Sequence, residues 1–140
     1  MGKVIRAQDV LRAGTTGLQK PIIYCRWDKE TFDSAVSINL LLAKLLDNLK
    51  PRRRTMQLEN CLNQVLEQLP ENPVIKDFDV MFNPEYRVDA LKVLVLACKK
   101  RPFSAIWPGD FGGGKLFYAE EGYQDYCAFN IENYDVTCVV

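Results

Sequence analysis

Histidine is absent from the 140 residues of this chain. Its absence excludes Ser-His and Cys-His nucleophilic catalysis, histidine-ligated metals and histidine proton relays. An enzyme built on this sequence would have to use carboxylates, lysine, tyrosine or cysteine. No apolar run approaches the roughly 20 residues that a membrane span requires, so the sequence predicts no membrane association.

Paired cysteines are also missing. The five cysteines are odd in number, widely spaced and without a C-x-x-C motif, which argues against a disulfide framework and against a zinc site. Most have apolar neighbours, as in VLVLACKK, and are predicted to be small buried side chains in a reducing compartment. The start, MGKVIRAQDV, is too polar for a signal peptide, and Arg6 breaks the myristoylation pattern. We therefore expect a cytoplasmic protein with no metal and no cofactor.

The chain has no net charge, since 18 basic side chains balance 18 acidic ones. This balance argues against a general polyanion binder, although it allows a local basic patch. Hydrophobic residues make up 48% of the sequence, which is enough for a packed interior. The length indicates one domain, residues 1–140.

Hydrophobic patterns predict alternating strands and helices. Strands are expected at residues 22–27, 74–82, 103–107, 115–120 and 134–140, and helices at residues 4–13, 38–50, 56–69 and 88–100. The central strands are continuous apolar runs, which are typical of parallel strands buried on both faces. The expected fold is therefore α/β, a mainly parallel sheet flanked by helices, with a C-terminal hairpin or edge strand.

The middle of the chain contains a proline that divides two helical patterns. Pro51 is predicted to end the first helix, and the segment PRRR, which begins with this proline, is predicted to be a basic loop. Thr55 is then the expected N-cap of the second helix. Met56 is assigned to the apolar face of that helix, together with Leu58 and the leucines and valine that follow.

The stretch WPGDFGGGKLFYAEEGYQDY raises the possibility of nucleotide binding. Gly109, Gly114 and Lys115 have the G-x-x-x-x-G-K spacing of loops that hold phosphates, but Leu116 stands where such loops have a magnesium-binding Ser or Thr. The aromatic segment after Lys115 also lacks a helix cap. The sequence favours a strand–turn–strand connection over residues 107–118, with glycines providing positive φ angles.

Two basic clusters are candidates for contact with the phosphates of DNA or RNA. They are Arg52, Arg53 and Arg54, and Lys99, Lys100 and Arg101. The alternative is a solvated loop in the first case and cations at a helix C-terminus in the second.

Two further groups allow a functional and a structural interpretation. Asp77 and Asp79 would share one face of a strand, where they could chelate a metal or act as an acid/base pair. The alternative is that both are simply exposed at a strand end, and it is favoured because no third ligand can be assigned. The aromatic residues Trp107, Tyr118, Tyr123 and Tyr126 could stack on bases, bind a protein partner or pack against the edge of the sheet; of the two functional roles, protein binding is preferred.

From Lys76 onward the sequence resembles the C-terminal half of BrxF, the small P-loop component of type 3 BREX phage-defence systems. The resemblance rests on a turn after a strand (residues 82–84), a D-x-L-x-x-L helix start (89–94), a Trp-Pro-Gly turn (107–109) and an L-x-YA-x-x-G-x-x-(E/D)-Y tail (116–126). It implies a P-loop-NTPase-like fold and a place among the proteins of such a system.

The sequence departs from this family at both parts of the nucleotide site. The family has a G-x-x-G-x-G-K-T loop after an early strand, whereas here PIIYCRW is followed by DKETFD, which has no glycine. Lys76 stands where the family tends to have the magnesium-binding acid. The expected function is therefore a non-catalytic, P-loop-derived adaptor that binds other proteins. The alternatives are a nucleic-acid-binding protein and a small NTPase, and a homo-oligomer is compatible with each.

Overall fold

Strands and helices alternate along the computed structural model, which describes all 140 residues. The helices are α1 (Ala7–Ala13), α2 (Lys29–Ser34), α3 (Asn39–Asp47), α4 (Pro51–Glu67) and α5 (Ala90–Lys100). The strands are β1 (Lys3–Ile5), β2 (Ile22–Tyr24), β3 (Val36–Ser37), β4 (Val74–Lys76), β5 (Ser104–Ile106), β6 (Asp110–Gly112), β7 (Lys115–Tyr118), β8 (Cys127–Asn130) and β9 (Thr137–Val139). Short 3₁₀ helices occupy Asp79–Phe82, Pro84–Tyr86 and Ile131–Asn133.

Six strands form one sheet in the order β1-β9-β2-β5-β4-β3, and every neighbouring pair is parallel. Ile22 and Ile23 in β2 and Ile75 in β4 are buried, as expected for strands inside a covered sheet. The predicted α/β fold, a parallel sheet flanked by helices, is confirmed.

A second, antiparallel sheet has the order β6-β7-β8. The hairpin β6–β7 turns at Gly113 and Gly114, whose φ angles of 58° and 76° suit a two-residue hairpin turn. Leu116 and Phe129 from this sheet are buried in the same core cluster as β2 and α5. The small sheet thus packs onto the main core, and the expected C-terminal hairpin is present.

The N-terminus differs from the prediction of one helix over residues 4–13. Val4 and Ile5 belong to β1, which pairs with β9, and α1 begins only at Ala7. Hydrogen bonding to a distant strand determines the conformation of these two β-branched residues, which a local pattern cannot reveal.

The predictions for the start of α4 were wrong. Pro51 begins this helix rather than ending the previous one, so PRRR is its first turn and Thr55 is not its cap. Proline suits the first helical position because the amide hydrogen it lacks would have no partner there. Arg54 extends back to the end of α3, where its Nε donates to the carbonyl of Leu46 at 2.9 Å.

The apolar face of α4 is also narrower than predicted. Leu58, Leu62, Val65 and Leu66 are buried, but Met56 is 81% exposed. Starting the helix at Pro51 does not change its periodicity; Met56 simply falls outside the stripe that contacts the core.

The strand predicted at residues 74–82 ends at Lys76. Asp77 has a φ of 55°, a left-handed conformation that interrupts the strand, and Asp79 begins a 3₁₀ helix. The two carboxylates therefore do not lie on one face of a strand.

The five cysteines differ in how far they are buried. Cys61, Cys98 and Cys138 are buried, whereas Cys25 and Cys127 are half-buried. None of the five helices combines the length and hydropathy needed to cross a lipid bilayer.

Candidate functional site at the carboxyl ends of the parallel strands

The strand order places a crevice beside the ends of β2 and β5. These strands are neighbours, but the chain leaves β2 towards β3 at one edge of the sheet and leaves β5 towards β9 on the other side. In open α/β sheets, ligands bind where the connections from two neighbouring strands lead in opposite directions along the sheet. The binding position is outside the carboxyl ends of those strands. This point is therefore the candidate site that the topology provides.

A cavity of about 210 Å³ opens at this position. Its lining is contributed by the residues that follow β2, β4 and β5: Trp27, Phe32, Lys76, Asp77, Ile106, Trp107, Pro108, Gly109 and Asp110.

The connection from β2 to α2 has none of the features of a phosphate loop. Only residues 25–28 separate the two elements, none of them glycine, and α2 is a helix of six residues. The carboxylate of Asp28 caps α2, accepting from the Thr31 amide at 2.7 Å. This hydrogen bond lowers the pKa of Asp28 and places the protein's own anion beside the free amides of the helix.

Lys76 is engaged by the same segment. Its Nζ donates to the carbonyl of Phe32 at 2.8 Å and lies 3.8 Å from the centroid of the Phe32 ring. Trp27 stacks with Phe32 at a centroid distance of 6.2 Å. A cation–π contact and a stacked pair thus form part of the cavity wall after β2 and β4.

An exposed apolar surface surrounds Trp27. Trp27 is 39% exposed and Phe32 37% exposed. Trp27 also lines a second cavity of about 280 Å³, whose lining is mostly apolar and includes Ala7, Val10 and Leu11 from α1. Helix α1 has no buried residue, and Leu11 is 80% exposed. We call these five residues the Trp27 surface.

The glycine-rich stretch forms the strand–turn–strand connection predicted for residues 107–118. Gly114 is in the hairpin turn and Lys115 is an exposed residue at the start of β7. No helix follows Lys115, so Gly109, Gly114 and Lys115 lack the converging helix amides with which a phosphate loop binds its ligand.

Gly109 has a packing role instead. A Cβ atom at this position would lie 2.0 Å from the carbonyl oxygen of Phe117 and 3.2 Å from Nε1 of Trp107. That nitrogen donates to the same carbonyl at 2.8 Å, which joins the end of β5 to β7. Glycine is required here because the two chain segments are in contact.

The four aromatic residues predicted to bind a partner have different environments. Trp107 is 1% exposed and packs edge-on against Phe82 at 5.6 Å, so its assignment to a partner surface was wrong. Tyr118 is half-buried and stacks on Phe82 at 3.9 Å. Tyr126 is half-buried near Phe117, and only Tyr123, at 65%, is largely exposed. Most of these rings attach the small sheet to the core.

The acidic and basic residues that the sequence offered as candidates are mostly exposed. Asp79 accepts from the Tyr118 hydroxyl at 3.0 Å, and Asp77 is exposed. No three His, Cys, Asp or Glu side chains come together in a way that could hold a metal ion. Among the basic residues, Arg52, Arg53, Lys99, Lys100 and Arg101 are exposed, whereas Arg54 is half-buried on α3.

Two tyrosines that hold the small sheet predict a specific pH response. Burial raises the pKa of Tyr118, with a further rise from its hydrogen bond to Asp79, and Tyr134 is affected in the same way by burial and Asp89. The unfolded pKa of tyrosine is about 10. Their contribution to stability is therefore complete below pH 10 and is lost as the pH rises from there through the folded values.

We expect the urea unfolding midpoint to fall more steeply above pH 10 in the wild type than in the double variant Tyr118→Phe with Tyr134→Phe. The comparison is made by urea titrations between pH 8 and 11. Parallel profiles for the two proteins would show that neither hydroxyl is linked to folding.

No family model matches the chain, and comparison with curated proteins and with solved structures finds no match.

Sequence reasoning did not identify Trp27 and Phe32. The signal was present in RWDKETFD, where two large aromatic residues stand among charged and polar ones. Two large aromatic side chains beside a short, polar helix cannot both be buried, so at least part of their surface is expected to be exposed. Their partner Lys76 could not have been found, because it comes from a strand 44 residues further along the chain from Phe32.

Proposed function

We propose that this chain is a P-loop-derived α/β protein that binds other proteins of a phage-defence-type system and performs no nucleotide chemistry. The observation that carries the proposal is the position of the Trp27 surface. Its two aromatic residues, Trp27 and Phe32, line the crevice at the carboxyl ends of β2 and β5, where an open α/β sheet binds its ligand.

The groups in this crevice are poorly suited to a nucleotide. Asp28 places a negative charge at the start of α2, where phosphate would be repelled. Lys76, the one cation in the cavity lining, already contacts the carbonyl and ring of Phe32. Gly109 is needed for packing and Lys115 is on a strand.

The same groups suit a protein partner. Exposed apolar surfaces centred on tryptophan are typical of binding hot spots, because a large rigid ring buries much area at little entropic cost. The 280 Å³ cavity beside Trp27 can receive an apolar side chain of the partner. Arg26 and Asp28 line that cavity too and form a polar rim around the apolar centre.

Complex formation tests the proposal directly. The chain is co-expressed with each protein encoded beside its gene, and complexes are detected by size-exclusion chromatography. We expect one such complex, which the double variant Trp27→Ala with Phe32→Ala abolishes. Leu40→Ala is the matched control, since Leu40 is 68% exposed but lines neither cavity. Failure of every pair to associate, or equal binding by the double variant, would contradict the proposal.

We further predict that millimolar ATP with magnesium leaves the melting temperature unchanged. A site with a Kd one hundredth of the ligand concentration would stabilise the protein by about 2.7 kcal/mol, a shift of several degrees. Lys115→Ala should alter stability by less than about 0.5 kcal/mol, as expected for a surface residue. A clear shift with ATP that Lys115→Ala removes would restore the phosphate-loop interpretation.

A further inference from the structure

The charges of this neutral chain are distributed very unevenly. Residues 50–67 and 90–101, which comprise α4, α5 and their flanking Lys50 and Arg101, hold eight basic side chains and two acidic ones. The rest of the chain holds ten basic and sixteen acidic side chains. Helices α4 and α5 pack against each other. The fold therefore brings a surplus of six positive charges onto one pair of helices.

These positive charges are not neutralised within the protein. The only ion pair joins the α-amino group of Met1 to Asp135 and includes no residue of the two helices. Arg52 and Arg53 at the start of α4, and Lys99, Lys100 and Arg101 at the end of α5, are exposed. Arg54 alone is engaged, by the carbonyl of Leu46.

A polar cavity lies between the two helices. It measures about 340 Å³ and has no apolar side chain in its lining, which consists of Gln57, Asn60, Asn63, Gln64, Glu67, Lys100 and Arg101. The Oδ1 atom of Asn63 is buried without a hydrogen-bond partner. Arg53 precedes Gln57 by one helical turn and so lies on the same face of α4. The cavity wall thus contains four amide side chains, the cations Lys100 and Arg101 and one acid, Glu67, and Arg53 lies one turn beyond its Gln57 end.

The arginines at the start of α4 oppose the helix dipole. The first turn contains three arginines and no acidic residue, and Lys50 provides no side-chain cap. Cations at a helix N-terminus are unfavourable, and of the three arginines only Arg54 has a partner within the fold, the carbonyl of Leu46. An external anion would be attracted both by the arginines and by the free amides of the first turn.

We propose that the α4–α5 face binds the phosphate backbone of a nucleic-acid duplex. Lysine and arginine neutralise the phosphates, while Gln57, Asn60 and Gln64 provide amide groups for hydrogen bonds to the backbone or base edges. The cavity contains no aromatic ring on which the bases of a single strand could stack. It also contains no apolar group that could enter a lipid surface. This function is additional to protein binding and uses none of the residues of the Trp27 surface.

Fluorescence anisotropy with a labelled 20-base-pair DNA duplex tests this inference. We expect binding at low salt that weakens as salt is added, with a slope of about −3.6 to −4.5 in log K against log salt for four to five phosphate contacts. Unlabelled duplex RNA should compete within a few-fold, and single-stranded DNA should compete less well. Vesicles containing anionic lipid should not compete.

Charge-reversal variants locate the site. Arg52→Glu with Arg53→Glu, and Lys100→Glu with Arg101→Glu, should each weaken duplex binding by about tenfold or more and reduce the salt slope. The matched control is Lys3→Glu with Arg12→Glu, which makes the same change in net charge on β1 and α1 and should leave binding within about twofold. Circular dichroism establishes that each variant is folded.

Several results would overturn the proposal. These are the absence of duplex binding at low salt, equal weakening by the control variant, and binding only to single strands or to anionic vesicles. Because Trp27→Ala should leave duplex binding intact, failure here and failure of the protein-binding proposal are separate outcomes.

Discussion

Replacing Trp107 with alanine is expected to lower the free energy of unfolding by on the order of 3–5 kcal/mol. The indole is 1% exposed and has edge-on contacts with Phe82 at 5.6 Å and Phe129 at 5.8 Å. The substitution leaves a large cavity and removes the donor to the carbonyl of Phe117. Since domains are stable by only about 5–15 kcal/mol, the loss would be a large part of the total.

Urea denaturation followed by circular dichroism measures this loss. The protein has only two tryptophans, so Trp27→Ala is the natural comparison, and it should cost much less because its ring is 39% exposed. Trp107→Phe keeps an aromatic ring but not the indole N–H, and should fall between the two. A cost below about 1 kcal/mol for Trp107→Ala would show that the small sheet is not held by this residue.

Replacing Gly109 with alanine should also be strongly destabilising. Its Cβ would lie 2.0 Å from the Phe117 carbonyl oxygen, which is backbone and cannot rotate away. Overpacking of this kind costs about 1–3 kcal/mol. The shift would also stretch the Trp107–Phe117 hydrogen bond, which contributes about 1 kcal/mol.

The neighbouring Gly112 provides the control for this substitution. No atom lies within 4 Å of a Cβ added there, and its φ angle is not in the positive range. Gly112→Ala should therefore be nearly neutral in the same urea titration. If the two variants were equally stable, the close contact between Gly109 and β7 would be refuted, and the glycine would need another explanation.

The parts of the fold that could be predicted from the sequence are those with strong local signals. The buried runs around Ile22 and Ala105, the apolar helix α5 and the glycine turn of the hairpin were all expected, and the structure contains them. In each case one local pattern, such as an apolar run or a pair of glycines, matches the final environment.

The errors occurred where distant contacts determine the local structure. Proline both ends and begins helices, so Pro51 could not be assigned without knowing that the Arg54 side chain would join α4 to the end of α3. Val4 and Ile5 form a strand only because β9, from the other end of the chain, lies beside them. The left-handed turn at Asp77 has only a weak local signal, because aspartate tolerates this conformation but far more often adopts others.

The candidate site was harder to predict than the fold. The G-x-x-x-x-G-K spacing drew attention to the hairpin, whereas the crevice contains Trp27, Phe32 and Lys76, which are separated in sequence. The net charge of zero concealed the basic face, because its surplus of six positive charges is balanced by a surplus of six acids in the rest of the chain. Only the packing of α4 against α5 makes that face visible.

Hydrogen–deuterium exchange of the protein with a co-encoded partner tests the central claim most directly. If the Trp27 surface has replaced the nucleotide site, complex formation should slow exchange in residues 7–11 and 26–32 and leave the hairpin at residues 110–118 unchanged. Adding ATP with magnesium to the free protein should slow exchange nowhere. Protection of residues 109–115 by ATP, with no protection around Trp27 in the complex, would contradict the account.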